Sequence, residues 1–259
     1  MNYELEIGKG DEAIAVFQGK KNKKDKFLFY KQLSYNNKKK PNKELFITND
    51  DLLLPVMNRQ EGGFPNRVFV AGGTLQGKSY MASKLAEDYH KLFPKNKIIL
   101  FSWVNDDDNY KNLSKLKVFH KIRIDESILE NPTALEELHD SITIFDDIEH
   151  FTDREIRKEL ERLRDSCVNA GRHENIDVAV ARQNLLEGLL TKTCLNSSFQ
   201  VIGFPHSSSR YQLNEFLRRC MRLDNPLIQK ILNVPSGWVL INRNTPSYVL
   251  HQKGCFLLV

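Results

Sequence analysis

The segment that most constrains this chain is 68–79. An apolar run, Val68-Phe69-Val70-Ala71, leads into Gly72-Gly73-Thr74-Leu75-Gln76-Gly77-Lys78-Ser79, and residues at helical spacing follow. Glycine at the first and sixth places, then Lys and Ser, is the pattern of a phosphate-binding loop, the Walker A motif. The glycines let the backbone bring N–H groups against phosphate oxygens, where the N-terminus of the next helix adds a favourable dipole. Lys78 is placed to reach the β- and γ-phosphates of a nucleoside triphosphate, and the Ser79 hydroxyl to ligate Mg2+. Strand, loop and helix in this order predict an α/β fold of the P-loop NTPase class.

A second stretch, Ser141-Ile142-Thr143-Ile144-Phe145-Asp146-Asp147-Ile148-Glu149, describes a buried parallel strand whose C-terminal end opens onto a site. Downstream of a phosphate loop it reads as a Walker B strand. Asp146 is then the carboxylate that helps hold Mg2+ opposite Ser79, and Asp147 the one placed to orient and deprotonate an attacking water. Glu149 is a weaker catalytic candidate, since it could equally be polar surface at the start of the next connection. A further strand, Lys97 to Trp103, comes between the two motifs in sequence, and an acid directly follows the Mg2+ carboxylate. Both features favour the additional-strand class with a RecA-like core over small-molecule kinases and GTPases. The strand Ile176 to Ala181 ends in Arg182-Gln183-Asn184, where Gln183 is placed to sense a γ-phosphate or the attacking water.

The remaining pattern sets the boundaries. At 259 residues the chain has room for one nucleotide-binding domain and a small appendage. Residues 1–50 read as short strands joined by lysine-rich turns, and residues 51–259 as the P-loop ATPase domain. The first 43 residues hold eleven lysines against five acidic residues, more than the whole-chain excess of +5. That charge suits nucleic acid phosphates or an acidic surface, or belongs to solvated turns. Helices are expected from Met81 to Leu92, over 132–139, from a capping box at Thr152 to Gly171, and over 208–233. Strands are expected at 116–124, 199–204, 237–241 and 247–250. The run Asp106-Asp107-Asp108 reads as a solvated loop. The four cysteines, 167, 194, 220 and 255, have no metal-ligand spacing and read as reduced and structural. No apolar run approaches the ~18 residues of a membrane span, which gives the expectation of a protein without a membrane segment, working in a cytosol-like compartment.

Taken together, Gly72 to Ser79, Ile144-Phe145-Asp146-Asp147, Gly171-Arg172-His173 with Asn175-Ile176, Gln183-Asn184, and Leu195-Asn196-Ser197 resemble the viral genome-packaging ATPases of the FtsK–HerA superfamily. The likeness is closest to the poxvirus-type packaging ATPases of large DNA viruses and virophages, over about residues 66–250. It implies a homo-oligomeric ring that hydrolyses ATP with Mg2+ and translocates double-stranded DNA into a preformed capsid, with capsid or packaging-vertex proteins as partners. It implies Asp147 as the catalytic acid and Gln183 as the sensor. Arg172 becomes the leading candidate for an arginine finger reaching a neighbouring subunit, its plainer alternative being to cap the carbonyls of the preceding helix. The setting implied is the viral factory in the host cytoplasm, or the virion. The segment Gly203-Phe204-Pro205-His206-Ser207 departs from the pattern in lacking charged residues. A helicase or plasmid-transfer motor of the same superfamily, or a nucleotide-dependent switch without fast turnover, stand as the alternative readings.

Overall fold

The computed structural model describes residues 2–18, 26–33, 41–47, 50–57, 65–104 and 107–258. The lysine clusters at 20–24 and 38–40, the Gly62-Gly63 connection and Asp106 lie outside the described residues. The chain separates into two compact units, Met1–Gln60 together with Gln200–Val259, and Glu61–Phe199. The expected break at residue 50 is a different division, because it grouped residues 200–259 with the phosphate loop.

The first unit opens with β1 (Asn2–Ile7), β2 (Glu12–Gln18), β3 (Phe27–Leu33), β4 (Glu44–Phe46) and β5 (Leu52–Pro55). An antiparallel sheet in the order β1-β3-β2-β5 alternates inward and outward residues, with Leu5, Ile14, Leu28 and Leu53 buried. This alternation is what a sheet covered on one face requires.

The second unit runs through β6 (Arg67–Ala71), α1 (Lys78–Leu92), β7 (Lys97–Ser102), β8 (Phe119–Ile122), α2 (Ser127–Glu130), β9 (Ser141–Asp146), α3 (Arg154–Ala170), β10 (Ile176–Arg182) and α4 (Leu189–Ser197). Its strands are parallel, in the order β6-β10-β9-β7-β8. β6, β9 and β10 are buried at every position, which explains why they read as continuous apolar runs and not as alternating ones. A strand does separate the loop strand from the Walker B strand, as the additional-strand class demands, but it is β10. The expectation had rested on the sequence position of Lys97 to Trp103, and that strand, β7, pairs on the far side of β9. Strand order is set by where each crossover lands, which sequence order does not reveal.

Local differences have local causes. Asp153 caps α3 in place of Thr152, its Oδ1 accepting from the N–H groups of Glu155 at 2.8 Å and Ile156 at 2.9 Å. Within the helix expected over 132–139 only a 3-10 turn at Leu135–Leu138 forms, and the short α2 lies before it at Ser127–Glu130. Pro132 disfavours helical dihedrals at Asn131 and so separates the two. The strand expected over 116–124 shrinks to β8, because Leu116 N–H donates to the Leu113 carbonyl at 2.9 Å and Phe119 N–H to the Leu116 carbonyl at 3.1 Å, which holds 116–118 in a turn. Helix α4, which carries Leu195 to Ser197, was not expected at all.

The first unit resumes with β11 (Gln200–Gly203), α5 (Arg210–Arg219), α6 (Asn225–Leu232), β12 (Val239–Asn242), β13 (Tyr248–His251) and β14 (Gly254–Leu257). These strands are antiparallel in the order β11-β12-β13-β14-β4, so β4 joins this meander and not the sheet of β1. The approach is close enough that a Cβ on Gly254 would lie 2.5 Å from the Leu45 carbonyl oxygen. All four cysteines are free; Cys167, Cys194 and Cys255 are buried as structural residues, whereas Cys220 is exposed. Among the described residues no helix is long and apolar enough to cross a membrane.

Candidate active site

The residues singled out by the motifs lie in the unit Glu61–Phe199 at the C-terminal ends of β6, β9 and β10, with the exception of Arg172. The loop leaves β6 with Gly72 N–H donating to the Arg182 carbonyl at 3.1 Å, which ties it to the end of β10. Gly77 has φ 95°, in the left-handed region where a side chain is strained. Leu75 stands in the same region at φ 62° without glycine's freedom. α1 then begins with no side-chain cap and no acidic residue in its first turn. Its first N–H groups and its dipole are therefore left to an anion.

Lys78 is buried and folds back over the loop, its Nζ 3.4 Å from the Gly73 carbonyl and 3.5 Å from Asp147 Oδ2. Both contacts are long, so an entering phosphate oxygen can replace them with shorter charge-assisted bonds. Gln183 Nε2 donates to Thr74 Oγ1 at 3.4 Å, bringing the end of β10 against the loop.

Asp146 is buried at the end of β9 beside the Ser79 hydroxyl and accepts a hydrogen bond on Oδ2 from the Tyr110 hydroxyl at 2.8 Å. Burial pushes its carboxyl up to about 6, while the neighbouring Ser79 and Tyr110 hydroxyls favour the charged form. Asp147 turns the chain sharply at φ 49°, and its N–H donates to the Ala181 carbonyl at 3.0 Å. Burial raises its carboxyl as well, with the Lys78 ammonium opposing. Asp146 Oδ1, Asp147 Oδ1 and Glu149 Oε2 are buried without a hydrogen-bond partner. Leftover acceptors on buried carboxylates are costly unless a cation faces them. A serine hydroxyl beside a carboxylate oxygen is the hard donor set that suits Mg2+. Ser79 and Asp146 thus fit the ion that the loop implies.

Three residues of the site went unnoticed in the sequence. Arg182, buried at the end of β10, pairs with Glu149 Oε1 at 3.2 Å and Glu187 Oε2 at 3.3 Å. Glu149 is therefore engaged by an arginine. A charge ending an apolar strand just before Gln183 was the available signal. Tyr110 had none, since its contact with Asp146 spans 36 positions. Asp107, read as part of a solvated loop, caps the 3-10 turn that carries Tyr110, and its charge is felt at Asp146.

Arg172 is exposed in the turn before β10, and its Nε donates to His173 Nε2 at 3.3 Å, not to a helix carbonyl. Its charge acts on Arg67, at the start of β6. The seven residues of β10 separate it from Gln183, roughly 20 Å of strand. This chain's own site does not include it.

No protein-family model matches the chain. It is 30% identical over 190 residues to the uncharacterized protein V3 of the Sputnik virophage, covering 72% of this chain and 75% of the relative. Among solved structures it is similar to B204, the DNA-packaging ATPase of Sulfolobus Turreted Icosahedral Virus, with a TM-score of 0.51, 16% identity, and coverage of 73% of this chain and 98% of the other. The cytoplasmic domain of the Type VII secretion ATPase EccC of Thermomonospora curvata aligns with a TM-score of 0.52 and 12% identity, over 82% of this chain and 28% of that one. The resemblance read from the motifs is borne out. The chain belongs to the same family as the virophage protein V3, and it shares the fold of B204, a viral DNA-packaging ATPase.

Proposed function

We propose that the protein hydrolyses ATP at the Gly72 to Ser79 loop and uses the energy to move double-stranded DNA into a viral capsid. The observation that carries the reading is the convergence of Ser79, Asp146, Lys78 and Asp147 at the ends of β6 and β9, with buried carboxylate oxygens left unpartnered. In this reading the loop N–H groups and the start of α1 bind the phosphates, and Lys78 moves from Asp147 to the β- and γ-phosphates. Mg2+, held by Ser79 and Asp146, would supply neutralisation of phosphate charge. Asp147, released from Lys78, orients water and takes its proton. Gln183 reads the γ-phosphate from the inserted strand β10. Arg172 faces away from its own site and is the finger offered to a neighbouring copy in a homo-oligomeric ring. Kinship with a virophage protein and the fold shared with a DNA-packaging ATPase support the viral setting, in the factory or the virion, with capsid or packaging-vertex proteins as partners.

The test is ATP turnover with and without double-stranded DNA, run beside a mass measurement of the assembly. Stimulation by DNA in a ring-sized oligomer is expected, with DNA affinity falling steeply as salt rises. Turnover indifferent to DNA would leave a nucleotide switch in place of a motor.

A further inference from the structure

We propose that Tyr110 is a positioning residue for the metal-binding carboxylate of Asp146, fixing the rotation of its plane so that one oxygen is held by the hydroxyl and the other is presented to the cation. The inference rests on the reading of Ser79 and Asp146 as the Mg2+ site.

A carboxylate exchanges its two oxygens by rotation about its last torsion. Around Asp146 that rotation is opposed from one side: Oδ2 accepts from the Tyr110 hydroxyl at 2.8 Å, while Oδ1 is buried with no partner. Any intermediate rotation breaks the accepted hydrogen bond, so the hydroxyl fixes the plane of the group, holding one oxygen and leaving the other in a defined place. Its donor is itself held from several directions. Tyr110 N–H donates to the Asp107 carbonyl at 3.0 Å, and Asp107 Oδ1 accepts from Asn109 N–H at 2.8 Å, closing the turn. The turn packs against α1, the helix that carries Ser79. The next turn is anchored by Leu113, which is fully buried. Ser79 from α1, Tyr110 from the 3-10 turn and Asp146 from β9 thus converge on one carboxylate.

A core-filling role would be served equally well by phenylalanine. A buried phenol needs a partner for its hydroxyl, and the partner here is the metal carboxylate. Groups that orient a metal ligand in this way change metal affinity by about 10- to 100-fold when removed.

The experiment titrates Mn2+ into full-length protein with ADP, reading free Mn2+ by electron paramagnetic resonance. Tyr110→Phe removes one oxygen and no carbon. It is expected to weaken Mn2+ binding about tenfold or more while leaving ADP affinity in EDTA unchanged. Leu113→Ala loosens the same segment without touching the hydroxyl, and is expected to bind Mn2+ as the parent does. Equal Mn2+ affinity in Tyr110→Phe and the parent overturns the inference alone. So does a loss in Leu113→Ala as large as that in Tyr110→Phe, since the effect would then be packing. A parent protein that binds no Mn2+ with ADP overturns the reading of the site, and the inference with it.

Discussion

Each of the two compact units buries a titratable group far from its ordinary pKa, and the two shifts have opposite consequences. In the unit Glu61–Phe199, burial raises Asp146 to about 6. In the other unit, burial together with the Lys230 charge lowers His251 on β13 to about 4. Both groups are pushed toward their neutral forms, but their surroundings differ. Asp146 ends a parallel strand among Asp147, Lys78 and Ser79, with Oδ1 buried and unpartnered. His251 ends β13 beside Phe46 and Phe256; its Nδ1 accepts from Lys253 N–H, and its Nε2 is also buried without a partner but lies against these aromatic rings and not among carboxylates. The first burial is a stability cost tied to a function; the second belongs to packing. Substitutions in the first setting should alter chemistry more than folding, and those in the second should alter folding alone.

The largest effect expected is that of Lys78→Ala, which should lower ATP turnover by about 100-fold or more and leave the unfolding transition close to that of the parent. Retained turnover would remove Lys78 from the site. Next come the two pH responses, measured as denaturant midpoints in Mg2+-free buffer. Asp146 has a folded pKa above its unfolded value, so its neutral form is tolerated at low pH, and it costs stability as pH rises from about 4 to about 6. Asp146→Asn should recover about 2 kcal/mol at pH 7. His251 has a folded pKa below its unfolded value, so the stability it supplies above pH 6.5 is lost as pH falls toward about 4. His251→Asn should flatten that acid limb, worth about 2 kcal/mol. Limbs of the same sign in both variants would dissolve the comparison. The smallest effect concerns the starts of the helices. α3 is capped by Asp153, whereas α1 begins uncapped at the phosphate loop. Asp153→Ala should cost about 1 kcal/mol in thermal unfolding with turnover unchanged.

Much of the site was legible because its chemistry is local. The loop from Gly72 to Ser79 declares itself through backbone demands that only those residue types meet in that order. The fully buried strands β6, β9 and β10 declare themselves as unbroken apolar runs, and Pro94 and Gly171 mark the ends of α1 and α3. Where expectation failed, the missing term was distant. The restriction that Pro132 places on Asn131 ends α2 at Glu130, a local effect, but β4 leaves its neighbours for β14 through pairing that no nearby residue announces. Glu149, by sequence a weaker catalytic candidate or polar surface, is paired by Arg182 from the end of another strand, a contact that no nearby residue announces.

The sequence by itself determined that this chain has a phosphate loop, an apolar strand ending in the carboxylate pair Asp146-Asp147 and a polar strand end at Gln183. Those assignments depend on short-range geometry, which composition and spacing encode. Only the tertiary structure decided that β10, not β7, is the inserted strand, that Tyr110 grips Asp146, and that Arg172 stands at the far end of β10 from the loop. The reason is physical: strand order and long-range contacts are settled by which crossovers bury the most apolar surface together, a property of the whole chain that no single segment carries.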